Sequence, residues 1–350
     1  MRQDAAETLD EAFARLHRTG PEFQGYLSNH GPMVVESLVH CGQWEAVPAW
    51  LDLYTPRLIA APRPTERITA NGWRDALGDR ARAGDWIAFF AEELRERPWR
   101  DTLARWWPEL LPGLPGAATH GVIRVGHAVR ALRTAGESPT RLAEFAHAMA
   151  YFATAYLALP DLPPLAGGRT PSDALPDVPP IPVEERDHVT HRLDLLAAWP
   201  AWLASTLAVR PAETPEQAEA LLADTVRAAT RAYVRRGHGE GVMTVHAATA
   251  PNAVLRVLPD LPRSLWAASY ATAWATSSAI ASVYAARADA DDVPPAPADP
   301  TEAMTRALAH GDEHAIKLAD TAADVWARSA DPLALSATTR ATRLLIPLGN

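Results

Sequence analysis

Apolar positions in this chain recur at helical spacing, and no stretch alternates with period two between hairpin turns. The pattern therefore predicts helices and no strands. Leu9, Ala12, Phe13 and Leu16 mark one side of a helix over Glu7 to His17. Asn29-His30-Gly31-Pro32 opens a second, through Val34, Leu38 and Val39, with proline in the first turn where it is tolerated. Helices follow over Trp44 to Tyr54 and Asp85 to Arg97. Pro112-Gly113-Leu114-Pro115-Gly116 then breaks the chain before a helix from Thr119 to about Arg133, and Leu142 to Leu159 continues in the same manner. Further helices are predicted over Val183 to Leu207, Pro215 to Arg235 and Thr244 to Leu258, and in the segment that carries Lys317 and runs to Ser329.

Two stretches depart from the pattern. Pro160 to Pro182 holds eight prolines in 23 residues, and Val293 to Pro300 is a shorter proline-rich break. Both read as loops. Ser264 to Ala286 runs 23 residues without a charge, long enough to span a bilayer. Its Ala, Ser and Thr content, with Trp266, Tyr270 and Trp274 on one stripe, suits a helix buried among helices instead. The expected fold is all-α and bundle-like, a single large domain over residues 1–350 with Pro-rich loops at 160–182 and 293–300.

A hydrophobic content of 48% supplies a core, and a net charge of -9 disfavours nucleic-acid binding. With one cysteine, Cys41, no disulfide and no cysteine-ligated metal cluster can form within the chain. The N-terminal residues lack a signal-peptide core, so a cytoplasmic protein without a membrane partner is expected. Gly237-His238-Gly239-Glu240-Gly241 follows no strand, which argues against a nicotinamide or flavin domain.

Of 33 basic residues only Lys317 is lysine. Arginine stays charged in proteins, whereas a buried lysine can lose its proton and act as a nucleophile. Lys317 follows His314 by three residues, on the same helix face. His30, His120, His246 and His314 each stand at or near the start of an apolar helical stretch. Helices packed together can aim such imidazoles into one cavity, although any one alone reads more simply as a core or capping histidine. His127, two turns after His120, faces the same way and is a candidate catalytic group. Glu36, Glu240 and Asp312 are carboxylates that could complete a site or orient its imidazoles. Twelve tryptophans exceed the seven tyrosines and six phenylalanines. Trp106, Trp107, Trp266, Tyr270 and Trp274 are candidates to stack on a flat substrate, against the plainer reading that they fill the core.

Tyr26-Leu27-Ser28-Asn29-His30-Gly31-Pro32-Met33, Ala118-Thr119-His120-Gly121-Val122-Ile123-Arg124, His246-Ala247-Ala248-Thr249-Ala250 and His314-Ala315-Ile316-Lys317 resemble, in that order, blocks of the questin oxidase-like family. The resemblance implies an oxygenase of aromatic polyketide pathways, performing Baeyer–Villiger-type or related oxidative cleavage of anthraquinone-like rings with dioxygen as co-substrate. It further implies a non-haem Fe(II) site of four histidines and a lysine carboxylated by carbon dioxide. Carried over, the ligands are His30, His120, His246, His314 and Lys317, with His127 either replacing one histidine or packing behind. The competing readings are a metal-free or zinc-bearing helical hydrolase or isomerase, and a non-catalytic small-molecule-binding protein.

Overall fold

Helix starts in this chain are set by side chains that satisfy otherwise orphaned backbone N–H groups. Ser138, Thr214, Asp299, Asp312 and Asp331 each accept hydrogen bonds from the first turn of a helix, four of them just ahead of a proline that cannot donate there anyway. A computed structural model describes residues 2–181 and 189–349, and their contacts divide into two units.

The first unit runs through Ala158 and takes in Pro259–Leu261. It contains α1 (Gln3–Leu16), a hairpin of β1 (Glu22–Phe23) and β2 (Leu27–Ser28), α2 (Gly31–His40), α3 (Val47–Tyr54), α4 (Ala83–Glu96), α5 (Trp99–Leu110), α6 (His120–Ala135) and α7 (Pro139–Thr154). Helices α4 and α6 both pack on α7, and α2 packs on α6. Gly121 makes the last arrangement of α6 and α7 possible, because a Cβ there would lie 2.7 Å from the Cα of Phe152. The core is aromatic: Trp73, Trp86, Phe89 and Phe90 surround Trp106 with ring centroids 5.1–6.2 Å away, mostly edge to face.

The second unit comprises Leu159–Leu258 and Pro262–Leu348. It holds α8 (Pro171–Ala174), α9 (Val189–Ala197), α10 (Pro200–Leu207), α11 (Pro215–Arg236), α12 (Gly241–Val257), α13 (Trp266–Tyr284), α14 (Pro300–His310), α15 (Glu313–Ser329) and α16 (Pro332–Leu344). The uncharged stretch is α13, packed on α11 and α12. Its small hydroxyl residues serve as internal partners: Ser278 Oγ accepts from the Trp202 indole at 3.0 Å, and Ser277 donates to the Ala247 carbonyl at 2.9 Å. Among the described residues no helix is long and apolar enough to cross a membrane.

The fold is all-α apart from the hairpin, which the absence of alternation did not predict because each strand is only two residues long. Helices α5, α14 and α16 were also not predicted. The expected helix Leu142 to Leu159 begins earlier and ends at Thr154. The Pro160 to Pro182 loop contains α8 and a 3₁₀ turn at Leu175–Asp177. The helix expected over Val183 to Leu207 is two, α9 and α10, because Pro200 starts a new one. Residues 183–188 of that expectation, with His188 and Pro182, lie outside the described residues.

Candidate metal centre

In the first unit, His30 caps α2 and donates its backbone N–H to the Tyr54 hydroxyl at 2.7 Å. His120 is the first residue of α6. The two imidazoles stack, with ring centroids 4.6 Å apart, and their Nε2 atoms approach to 2.6 Å. Both residues are buried. The chain reaches His120 through Ala117, Ala118 and Thr119, all left-handed, with φ of 46°, 51° and 68°. Three consecutive non-glycine residues in that region hold strain of about 1–2 kcal/mol each. The turn brings the Ala117 carbonyl to 2.6 Å from His120 Nδ1. A carbonyl only accepts, so Nδ1 carries the proton of the neutral ring and Nε2 carries the lone pair. His120 thus presents the nitrogen that a metal or a neighbouring N–H would use.

Two turns along α6, His127 Nδ1 lies 2.7 Å from Glu36 Oε2, and Arg130 Nε donates to Glu36 Oε1 at 2.8 Å. All three side chains are buried. Burial pushes the Glu36 carboxyl up, but the Arg130 charge and the bonds from His127 and Arg130 outweigh it and hold it at about 2. The carboxylate fixes His127 as its Nδ1–H tautomer. A second buried network adjoins it on α6 and α7: Arg124 Nε donates to Glu144 at 2.6 Å, His17 Nε2 lies 2.9 Å from the same carboxylate, and His147 stacks on His17.

In the second unit, His246 lies in α12 and His314 in the first turn of α15, their rings nearly perpendicular with centroids 5.3 Å apart. Asp312 caps α15, accepting from the backbone N–H groups of His314 and Ala315. One turn on, Lys317 is 1% exposed, and its Nζ has no hydrogen-bond partner among the described residues. Burial lowers its pKa to about 8 against the opposing charges of Glu313 and Asp312. Further along, Arg256 on α12 donates to Asp320 at 2.8 Å and to Asp324 at 2.7 Å, and Asn252 donates to Asp324 at 2.9 Å.

The two units repeat one arrangement. Glu36 follows His30 by six residues, and Asp320 follows His314 by six; Arg130 follows His120 by ten, and Arg256 follows His246 by ten. In each unit one helix carries histidine then acid, its neighbour carries histidine then arginine, and acid and arginine pair. Lys317 stands where the first unit has Met33. Sequence reading found the histidines and Glu36 but missed Arg130, Arg256 and Asp320. The identical spacings were the available signal, hidden because the helices come in opposite order in the two units.

Of the other candidates, Glu240 precedes α12 with an exposed side chain and Asp312 serves as a cap. Trp106 and Trp107 are buried in the first unit, with the Trp106 indole donating to Glu93. Trp266, Tyr270 and Trp274 are buried in the second, where Tyr270 donates to the Arg210 carbonyl and Trp274 to that of Thr206.

Two helix pairs bearing buried imidazoles, one with the chain's sole lysine beside them, describe a helical protein equipped with nitrogen donors. The sequence model of one protein family, described as questin oxidase-like, matches residues 52–322, and the chain belongs to that family. At the level of the family this supports an oxidase of aromatic polyketides acting on a small molecule. His120, His246, His314 and Lys317 fall within the matched stretch, and His30 precedes it. No curated protein matches the chain.

Proposed function

We propose that this protein is a non-haem iron oxygenase that uses dioxygen for ring cleavage or Baeyer–Villiger-type oxidation of an aromatic polyketide. The ligands in this reading are His30, His120, His246, His314 and a carboxylated Lys317. The observation that carries it is Lys317 itself: a buried amine with no hydrogen-bond partner among the described residues, one turn from a buried histidine, in a chain whose other 32 Lys/Arg positions are all arginine. A buried cation left alone is costly, so its retention calls for a chemical reason.

The residues suit such an ion. With a pKa of about 8, roughly one Lys317 in ten is neutral at pH 7, against about one in several thousand for an ordinary lysine. The neutral amine attacks carbon dioxide, forms the N–C bond and releases one proton, leaving an anionic oxygen donor in place of a cation. Four imidazoles and one anionic oxygen suit Fe(II). Iron held there supplies the redox chemistry by which dioxygen reacts with an aromatic substrate. His120, with Nδ1–H committed to Ala117, offers Nε2 without a proton to lose. Glu36 and Asp320, each paired with an arginine behind a histidine, hold the helices that carry the imidazoles in register. His127 fits the role of a group oriented by Glu36 to hold or pass a proton in the same region of α6.

Elemental analysis of anaerobically purified protein tests the reading. About one iron per chain, with a ¹³C carbamate resonance after growth or exchange in ¹³CO₂, is the expected result. Zinc, or no metal after reconstitution with ferrous iron, would replace it with the hydrolase, isomerase or binding-protein reading.

A further inference from the structure

Helix α6 begins in the interior of the first unit, where Thr119, His120, Gly121 and Val122 are all buried. A buried helix start needs acceptors for its first-turn N–H groups, and side chains supply them at other helices of this chain, as Ser138 does for α7. At α6 no side chain among the described residues does so, and no acidic residue lies in the first turn. Thr119 occupies the capping position, but its backbone prevents it from capping. A threonine cap uses an extended backbone to fold its hydroxyl over the first turn, whereas Thr119 is left-handed, with φ of 68° and ψ of 3°.

A second observation at this corner points to a ligand. The Thr119 hydroxyl is buried, the residue 1% exposed, and has no hydrogen-bond partner among the described residues. Leaving such a hydroxyl unpaired costs about 1–3 kcal/mol, so a group that accepts from it is favoured there. Two acceptors of the same turn are already engaged: the Ala117 carbonyl by His120 Nδ1 at 2.6 Å, and the Pro115 carbonyl by the Thr119 N–H at 3.2 Å. The turn therefore offers donors, the hydroxyl and the N–H groups that open α6, at the positive end of a 16-residue helix dipole. One turn on, Arg124 adds no net charge, because Glu144 neutralises it.

We propose that the start of α6 binds a small monoanion of the carboxylate type, of the size of formate or hydrogen carbonate, with one oxygen accepting from the Thr119 hydroxyl and the other from the first-turn N–H groups. Helix N-termini hold anions by this combination of N–H groups and dipole. Burial restricts the ligand to a few atoms, and two separate donor groups favour two oxygens over a monatomic ion. The left-handed Ala117 and Ala118 hold the turn that keeps the Thr119 hydroxyl off the first-turn N–H groups, so their strain serves the site. The site adjoins His120, a ligand in the function proposed above, but binding itself requires no iron.

The test is titration of metal-free, full-length protein with ¹³C-formate, read from broadening of the formate carbon resonance and from the rise in melting temperature. Formate is the cleaner probe, because hydrogen carbonate stands in equilibrium with carbon dioxide and formate cannot carboxylate an amine. Saturable binding by wild type is expected. Thr119→Val keeps the shape and removes the hydroxyl, and should bind about ten- to a hundred-fold more weakly, the loss of one hydrogen bond to a charged group. Thr119→Ser keeps the hydroxyl and should bind within about threefold of wild type. Thr305→Val, on the exposed surface of α14, should bind as wild type. Displacement of formate by hydrogen carbonate supports the proposal and extends it to that ion. No saturable binding by wild type, equal binding by folded Thr119→Val, or equally strong displacement by chloride overturns it. Binding that appears only after iron is restored overturns it too, since the anion is then on the metal. Formate binding by a protein that takes no iron leaves the site standing while the oxygenase falls.

Discussion

His30 and His120 meet Nε2 to Nε2 at 2.6 Å, and only one of those nitrogens can carry the proton between them. Since His120 spends its own proton on the Ala117 carbonyl, His30 is the donor in the metal-free protein. Metal binding at this pair, as proposed, would displace that proton from His30. His120→Ala removes the acceptor and one ligand of the proposed iron. Iron content measured by elemental analysis should drop at least tenfold in this variant, while circular dichroism stays helical.

Lys317 invites two substitutions with opposite physical consequences. Lys317→Met removes a buried amine for an apolar chain of similar length and should leave stability unchanged or raised, while abolishing iron retention. Lys317→Arg forces a permanent charge into the same place and should lose several kcal/mol of stability as well as iron. Urea titration beside metal analysis distinguishes them; full iron in either variant removes Lys317 from the ligand set.

The two acid–arginine pairs should respond unequally. Glu36→Gln leaves Arg130 and His127 facing a neutral amide in a buried setting, and should cost about 3–5 kcal/mol in urea unfolding. Asp320→Asn should cost less, because Arg256 keeps its bonds to Asp324. The double variant Glu36→Met with Arg130→Met should recover most of the Glu36→Gln loss.

Acid should destabilise the metal-free protein in two stages. Burial and the charges of Arg124 and His17 hold His147 at about 3, below its ordinary 6.5, so the unfolded chain takes up a proton there that the folded one refuses. The loss due to His147 is absent above 6.5 and grows as the pH drops toward 3. Glu36 and Glu144, both held at about 2 by arginine and histidine partners despite burial, add a second loss between 4.5 and 2. Glu22, raised by burial, acts in the opposite sense. Melting temperature followed from pH 8 to pH 3 should fall first gently and then steeply, and a flat profile down to pH 4 would contradict the His147 contribution.

Relief of backbone strain before His120 is expected to stabilise the fold. Ala118→Gly removes a left-handed penalty of about 1–2 kcal/mol and loses about 0.4–1 kcal/mol to the entropy of the unfolded chain. A net gain of up to about 1.6 kcal/mol should appear as a higher melting temperature. If the strained turn serves to fix the His120 ring, iron affinity should fall in the same variant even as stability rises.

Helical content was legible because amphipathic faces such as Leu9–Phe13–Leu16 follow directly from burial. The ends were less so: α7 stops at Thr154 because the chain turns at Ala155, beside Gly116, where a Cβ would fall 1.7 Å from the Ala155 carbonyl. Such close approaches are tertiary facts. Histidines at helix starts could be picked from the sequence, as could Lys317, whose rarity is visible without a structure. Their tautomers, the left-handed turn at Ala117–Thr119 and the pairing of Glu36 with Arg130 across 94 positions required the folded chain. The doubled His–acid and His–Arg spacing was present in the sequence throughout, but only the observed ion pairs gave a reason to count it.

A solitary, buried lysine also turns the protein into its own unfolding gauge. A protease specific for lysine has one internal cleavage position, after Lys317, inside a helix and out of reach while α15 stays folded. The rate at which that one cut appears reports how often this helix opens. Amine-reactive labels, once the terminal amine is accounted for, read the same event from a single site. Occupancy of the proposed centre would slow both signals, so retention of the metal can be followed through the accessibility of one side chain without a substrate in hand.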